Sequence, residues 1–147
     1  MTGTAWPVVV NRLVALLPTL TGWSAIDVHD GPPVSLDNLS YCVVGSTDNG
    51  PSGSYRPTRG GDGWTVEESG SVSCRLVIEA SEEDIAASRA TAALLMDALS
   101  ASILTDQTLG VLRAGSTTEL NVSISALQNQ QGSAQTLDFT VNYFARQ

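Results

Sequence analysis

His29 is the only histidine in the 147-residue chain, so any chemistry that needs an imidazole base depends on it. Asp27 and Asp30 lie beside it, and a carboxylate that orients an imidazole is one part of a catalytic triad. The chain contains no G-x-S-x-G motif that would present a nucleophilic serine. A solvated histidine next to a turn is the favoured interpretation, and an enzyme site around His29 and Asp30 is the less favoured alternative.

Metal and phosphate sites lack residues at the required spacing. A zinc site needs about four clustered ligands, whereas the chain has one histidine and two distant cysteines. Asp48 and Asn49 resemble the start of a calcium loop, but the downstream glutamate that would complete the loop is missing. Gly60–Gly63 (GGDG) is followed by neither a lysine nor a helix, so no phosphate-binding loop is predicted. We therefore expect no metal and no cofactor.

Two pairs of adjacent carboxylates have structural explanations. Glu67 and Glu68 belong to an alternating segment, and neighbouring side chains on a strand point to opposite faces. Glu82 and Glu83 follow Ser81 at a predicted helix start, where the helix dipole favours negative charge. Neither pair is predicted to act as a general acid and base, and we expect that the protein is not an enzyme.

The two cysteines, Cys42 and Cys74, lie in apolar, strand-like runs, YCVVG and VSCRLVI. Buried, reduced thiols are favoured over a disulfide, because no signal peptide indicates an oxidising compartment. The N-terminal stretch VVVNRLVALL contains Asn11 and Arg12 and is too short to span a bilayer, so no membrane segment is expected.

The charge of the chain argues against a protein that grips nucleic acid. Its 15 acidic and 7 basic side chains give a net charge of -8. All the basic residues are arginines spread along the chain: Arg12, Arg56, Arg59, Arg75, Arg89, Arg113 and Arg146. Binding to the phosphate backbone requires clustered Lys and Arg, so specific binding of DNA by a monomer is not expected.

Hydrophobic periodicity predicts a single α+β domain with two helices packed on an antiparallel or mixed sheet. The first helix is predicted over Trp6–Leu17, with Thr4 as a cap and Pro18 as its end, and the second over Ser81–Ala101. Strands are predicted at Ala25–His29, Ser40–Gly45, Trp64–Ser69, Val72–Glu79, Thr117–Gln128 and Thr136–Arg146, with a further possible strand at Leu109–Arg113. Ser69–Ser71 is predicted to be a tight hairpin turn between two of these strands.

The segment Ser46–Gly63 (STDNGPSGSYRPTRGGDG) contains five glycines and two prolines, and Tyr55 is its one large apolar residue. Such a composition cannot build a core. A loop of this length in a compact domain is usually functional or disordered. We therefore predict a mobile loop or arm that carries Arg56 and Arg59.

The order of elements and several short sequence motifs resemble those of the tail terminator, or tail completion, proteins of long-tailed bacteriophages, the family of the lambda minor tail protein U. In the first half of the chain these motifs are the helix WPVVVNRLVALL, the strand and turn IDVHDGPP, and the strand YCVVG before the Gly-rich loop. In the second half they are the helix SEEDIAASRATAALLMDALSASI, the D-x-T-L-G motif at residues 106–110 and the closing hairpin with its aromatic last strand. The likeness covers most of the chain and is one of layout.

The resemblance implies a virion protein, assembled in the host cytoplasm, that forms a hexameric ring at the head-proximal end of the tail. Such a ring ends polymerisation of the tail tube and contacts both the tail tube protein and the head–tail connector or stopper protein. DNA passes through its lumen without specific binding. The closing hairpin has an edge that neighbouring subunits could cover.

The predicted loop supplies the candidate interaction residues: Tyr55, Arg56, Arg59, Asp48 and Asp62. Arg56 and Arg59 are candidate partners for acidic groups on a neighbouring subunit or on the tail tube. Plain solvated charge on the loop is an equally favoured explanation for both arginines.

Four acidic residues are candidates for the lining of the lumen, where negative charge would let DNA slide. They are Asp48, Asp62, Glu67 and Glu68.

Other assembly roles fit the sequence nearly as well. A head–tail stopper and a tail tube subunit have a similar expected layout, and a tube subunit would polymerise rather than stop at one ring. A small monomeric or dimeric ligand-binding module is the alternative from another class.

Overall fold

Besides two short 3₁₀ helices at Leu17–Thr19 and Trp23–Ala25, two α-helices and six strands form the regular structure of the residues that the computed structural model describes, 4–31, 40–45, 53–60, 65–80, 85–129 and 132–146. In chain order they are α1 (Trp6–Leu16), β1 (Asp27–Asp30), β2 (Tyr41–Val44), β3 (Gly53–Arg59), β4 (Val66–Ala80), α2 (Ile85–Thr105), β5 (Thr117–Asn129) and β6 (Gly132–Arg146). The predicted first helix is confirmed to within one residue at its end, but Ala5 occupies its N-cap position and not the predicted Thr4, whose hydroxyl accepts a hydrogen bond from the Trp6 N–H at 3.1 Å. The predicted closing hairpin is confirmed, and α2 continues one turn beyond its predicted end. The predicted cap of α2, Ser81 to Asp84, lies outside the described residues.

The strands form one mixed sheet in the order β1-β2-β4-β6-β5, and β3 lies along the first half of β4. β1 and β2 are parallel, whereas every other pair is antiparallel. Helix α1 packs on β1, β2 and β4, and helix α2 packs on β4, β5 and β6. The predicted α+β class, with two helices packed on the sheet, is confirmed.

The hydrophobic core lies between the helices and one face of the sheet. Its members follow the predicted periodicities: Val72, Cys74, Leu76 and Ile78 on β4, Leu137, Phe139, Val141 and Tyr143 on β6, and Ala92, Leu95, Met96, Leu99 and Ile103 on α2. Cys42 and Cys74 are buried and free, as predicted. Burial raises the pKa of the Cys74 thiol to about 12.

The predicted hairpin at Ser69–Ser71 is wrong, because these residues continue β4 as one strand of 15 residues. Gly70 pairs with Tyr143 of β6. A Cβ on Gly70 would overlap the Tyr143 ring. The glycine therefore makes room for an aromatic side chain on the neighbouring strand instead of turning the chain.

The predicted loop also contains a strand. β3 pairs in antiparallel register with β4, from Gly53 opposite Val72 to Arg59 opposite Val66. This pairing is available because β2 covers only the second half of β4, from Cys74 to Val77. Backbone hydrogen bonds to β4 order a polar segment that has no core of its own. Residues 46–52 and 61–64 lie outside the described part, so the predicted mobility stays a prediction.

The prediction of a possible strand at Leu109–Arg113 is wrong, because the D-x-T-L-G motif forms a tight turn. Asp106 Oδ1 accepts hydrogen bonds from the backbone N–H of Thr108 at 3.0 Å and from its hydroxyl at 2.6 Å. Leu109 adopts a left-handed φ of 57°. Arg12 of α1 donates from Nε to the Leu109 carbonyl at 2.7 Å. This hydrogen bond ties α1 to the turn between α2 and β5.

Candidate interaction surfaces

The three candidate interaction residues Tyr55, Arg56 and Arg59 are exposed on β3. Tyr55 pairs with Gly70, whereas Arg56 pairs with Ser69 on the other face of the sheet. Alternation places Arg59 on the same side as Tyr55 and opposite Arg56. The two arginines therefore do not form one patch.

The acidic candidates have different outcomes. Asp48 and Asp62 lie outside the described residues. Glu67 is partly exposed on the sheet face away from the helices, with Arg146 Nε at 3.7 Å from its Oε1. Glu68 is 1% exposed, so the expectation that it faces a lumen is wrong.

Glu68 instead holds the start of α1 against the sheet. Its Oε2 accepts hydrogen bonds from the backbone N–H of Ala5 at 2.9 Å and from the Tyr143 hydroxyl at 2.8 Å. A carboxylate at a helix N-terminus also interacts favourably with the helix dipole. Burial, followed by the hydrogen bond to Glu68, raises the pKa of Tyr143.

The sequence contained a signal for this buried carboxylate. Val72, Cys74, Leu76 and Ile78 alternate along the core face of β4, and the same period extended backwards reaches Gly70 and Glu68. Because the sequence predicts a turn at Gly70, the predicted alternation ends there, and Glu68 is not assigned to the core face.

His29 lies on β1, directly opposite Val43 of β2. Its Nε2 is buried and has no hydrogen-bond partner within the described structure, so the predicted solvated histidine is wrong for this nitrogen. The exposed Asp30 follows it at the end of the strand. Among the described residues, no group of three His, Cys, Asp or Glu side chains is placed to hold a metal ion.

The sheet face opposite the helices is polar. Arg75 and Asp138 pair across β4 and β6, with Nε to Oδ1 at 2.7 Å and Nη2 to Oδ2 at 3.2 Å. Ser73 and Thr140 form the next pair on the same face. Glu119 of β5 is exposed on this face, opposite Asn142. The face thus presents hydroxyl and amide groups together with both carboxylate and guanidinium groups.

Three strands have one side without a strand partner in the described sheet, and they differ in how that edge is protected. β1 is only four residues long and contains two aspartates. β3 contains Pro57, which lacks an N–H, and two arginines. β5 is 13 residues long and contains no proline and no basic residue. Short length, charge and proline are the usual means of blocking an edge, so β5 is the least protected of the three.

Comparison with known proteins yields a likeness of fold. No protein-family model and no curated protein sequence matches the chain. No described helix has the length and apolar character needed to cross a bilayer. A chain in the solved structure "Virion of native gene transfer agent (GTA) particle" superposes with a TM-score of 0.50 and 14% sequence identity, over 92% of this chain and 88% of that chain. The α+β fold of this protein is therefore also found in a component of a virion particle.

Proposed function

We propose that this protein is a structural component of a phage-like virion and, more specifically, a tail terminator. In this proposal six copies form a ring at the head-proximal end of the tail. The ring ends polymerisation of the tail tube and joins the tail to a connector or stopper protein. No catalytic role is part of the proposal.

The likeness to the gene transfer agent virion chain is the observation that carries the proposal. It extends over 92% of this chain and 88% of the other, so it concerns the whole domain and not one motif. The order of elements in this chain also underlies its resemblance to tail terminators.

The free edge of β5 supports a role in assembly. Thirteen residues at about 3.4 Å each give an edge of about 44 Å that has no strand partner among the described residues. An edge of this length promotes pairing with other chains unless it is blocked. A ring would cover it by the same contact at every subunit and leave no free end.

The charge distribution is compatible with a DNA passage. The net charge is -8, and Glu67 and Glu119 lie on the polar sheet face. Arg75 and Arg146 on this face are paired with Asp138 and Glu67, so a lumen lined by the face would present little net positive charge for phosphate to bind and would let DNA slide. We propose Glu67 as the remaining described lumen-facing candidate.

The proposal is tested by light scattering across a concentration series with negative-stain imaging of the same sample. A terminator gives discrete rings of about six copies that do not grow further. Long tubes would instead identify a tail tube subunit. A ring that leaves tube length unchanged and binds only the connector would identify a stopper, and a monomer that neither assembles nor caps tubes would favour a ligand-binding module.

A further inference from the structure

Helix α2 has two apolar stripes on opposite sides. The inner stripe is buried in the core and contains Leu95, Leu99 and Ile103. The outer stripe is spaced alternately by three and four residues, as in a helix that packs against a partner. Its members are Ala87, Ala90, Leu94, Asp97, Ala101 and Leu104, and all are exposed.

The outer stripe exposes more apolar surface than a solvated helix face requires. Leu94 is 68% exposed and Leu104 is 73% exposed. They lie about 15 Å apart along the helix axis, with Asp97 between them. Large apolar side chains on the side of a helix that faces away from its own core are typical of a surface that packs against a partner. Asp97 has no ion-pair partner among the described residues.

A groove of about 330 Å³ combines apolar and basic residues, which complement the leucines and the aspartate of the outer stripe. It lies between the start of α1, the turn after α2 and the end of β6. Val8, Val111 and Leu112 provide its apolar wall, and Arg113 and Arg146 lie at its border. Val111 is 44% exposed there.

The two arginines give the groove a local positive charge on a chain whose net charge is -8. Arg113 is exposed and, within the described part of the chain, has no carboxylate partner. Arg146 has only a distant one, Glu67 at 3.7 Å. An occupant of this groove should therefore combine apolar side chains with a carboxylate.

We infer that the outer stripe of α2 of one copy docks into this groove on the next copy. A leucine of the stripe fills the apolar part, and Asp97 pairs with Arg113 and Arg146. Both halves of the contact occur on the same chain and match in charge, which favours a second copy over another protein. The contact is heterologous, and repeated heterologous contacts close into a ring when the rotation permits. This inference deepens the proposed ring-forming function and rests on it.

Charge reversal tests the contact. Asp97→Arg and Arg113→Asp each place like charges together and should raise the ring dissociation constant at least about tenfold. The double variant Asp97→Arg/Arg113→Asp restores the pair with position 113 while Arg146 still faces position 97, and it should therefore bind more tightly than either single variant without regaining the full wild-type affinity. Asp30→Arg and Arg89→Asp make the same charge changes at other exposed sites and should leave assembly unchanged.

Cysteine cross-linking gives a second, independent readout. Leu94→Cys and Val111→Cys are each expected to remain uncross-linked alone, to give dimers when mixed and to give a ladder up to the full ring when combined in one chain. Cross-linking of Leu94→Cys alone would show that α2 packs on α2 and would overturn the inference. The native thiols are buried and are not expected to interfere.

The outcomes separate this inference from the proposed function. Wild-type rings that are unaffected by either charge reversal would overturn the α2–groove contact and leave the terminator function standing. Reversals that preserve the ring but abolish tube capping would assign the stripe to the tail tube protein and would also overturn it. A wild type that never self-associates overturns the contact, and if it also fails to cap tubes, the terminator function fails with it.

Discussion

The two long edge strands β3 and β5 differ in both protection and support. β3 carries Pro57 and two arginines, and it lies beside the part of β4 that contains Glu68. β5 has neither proline nor basic residues along 13 positions, and within the described sheet its one neighbour is β6. This difference indicates that the edge of β3 is blocked against pairing with another strand, whereas the edge of β5 is suited to contact another chain.

Removing the Glu68 carboxylate, which lies on the β4 segment paired with β3, should have the largest effect on stability. Glu68→Ala leaves the Tyr143 hydroxyl and the Ala5 N–H without their buried acceptor. We expect a loss of about 3 kcal/mol in the free energy of unfolding, measured by urea denaturation. The adjacent Glu67→Ala, on the opposite face, should change it by less than about 0.5 kcal/mol.

Amide hydrogen exchange of the Glu68→Ala variant shows whether β3 and β5 are stabilised separately. Glu68→Ala should accelerate exchange in α1 and β3 more than in β5, since the carboxylate connects α1 to the β4 segment that pairs with β3. Equal acceleration in β3 and β5 would contradict the view that the two edges are supported separately.

Gly70→Ala tests the close approach that replaces the predicted turn. The added methyl group overlaps the Tyr143 ring, and overpacking of this kind costs about 1–3 kcal/mol. Ser69→Ala, at the neighbouring exposed position, should be nearly neutral. A Tyr143→Val background should recover part of the Gly70→Ala loss, and no recovery would argue against this contact as the cause.

Lysines placed on the two edges test assembly without disturbing the core. Asn121→Lys and Ser123→Lys on β5 should weaken self-association about tenfold, because lysine blocks edge contacts. Ser54→Lys and Thr58→Lys are exposed counterparts on β3 and should leave it unchanged. Analytical ultracentrifugation measures both sets, and equal losses from both edges would remove the distinction between them.

Alkaline pH should produce the smallest effect. The pKa of Tyr143 is raised, so the folded state favours its protonated form. Its contribution to stability is complete below the unfolded pKa of about 10 and is lost as pH rises towards the folded value. By pH 10, at the start of that window, wild type should have lost about 0.4 kcal/mol more stability than Tyr143→Phe; an equal loss in both proteins would contradict this.

The sequence predicted the elements whose signals are periodic and local. Leu95, Leu99 and Ile103 lie on one side of a helix, and Leu137, Phe139 and Val141 lie on one face of a strand. Burial of such a stripe or face follows from its period.

The remaining features depend on residues far apart in the chain. Gly70 has the same local sequence whether it turns the chain or continues a strand, and Tyr143 on the neighbouring strand decides between the two. β3 has no apolar alternation and forms because β2 leaves half of β4 unpaired. The position of Glu68 followed from the period of β4 only once Gly70 was known to lie within the strand.

The length of tail tubes reports directly on whether this protein ends their polymerisation. Tail tubes of the same virion are polymerised with increasing amounts of wild-type protein or of Asn121→Lys and are measured by negative-stain imaging. The terminator account predicts that wild type shortens the tubes and leaves a ring at one end, and that Asn121→Lys needs about tenfold more protein for the same effect. Tubes of unchanged length, or wild-type protein incorporated along the tube wall, would contradict it.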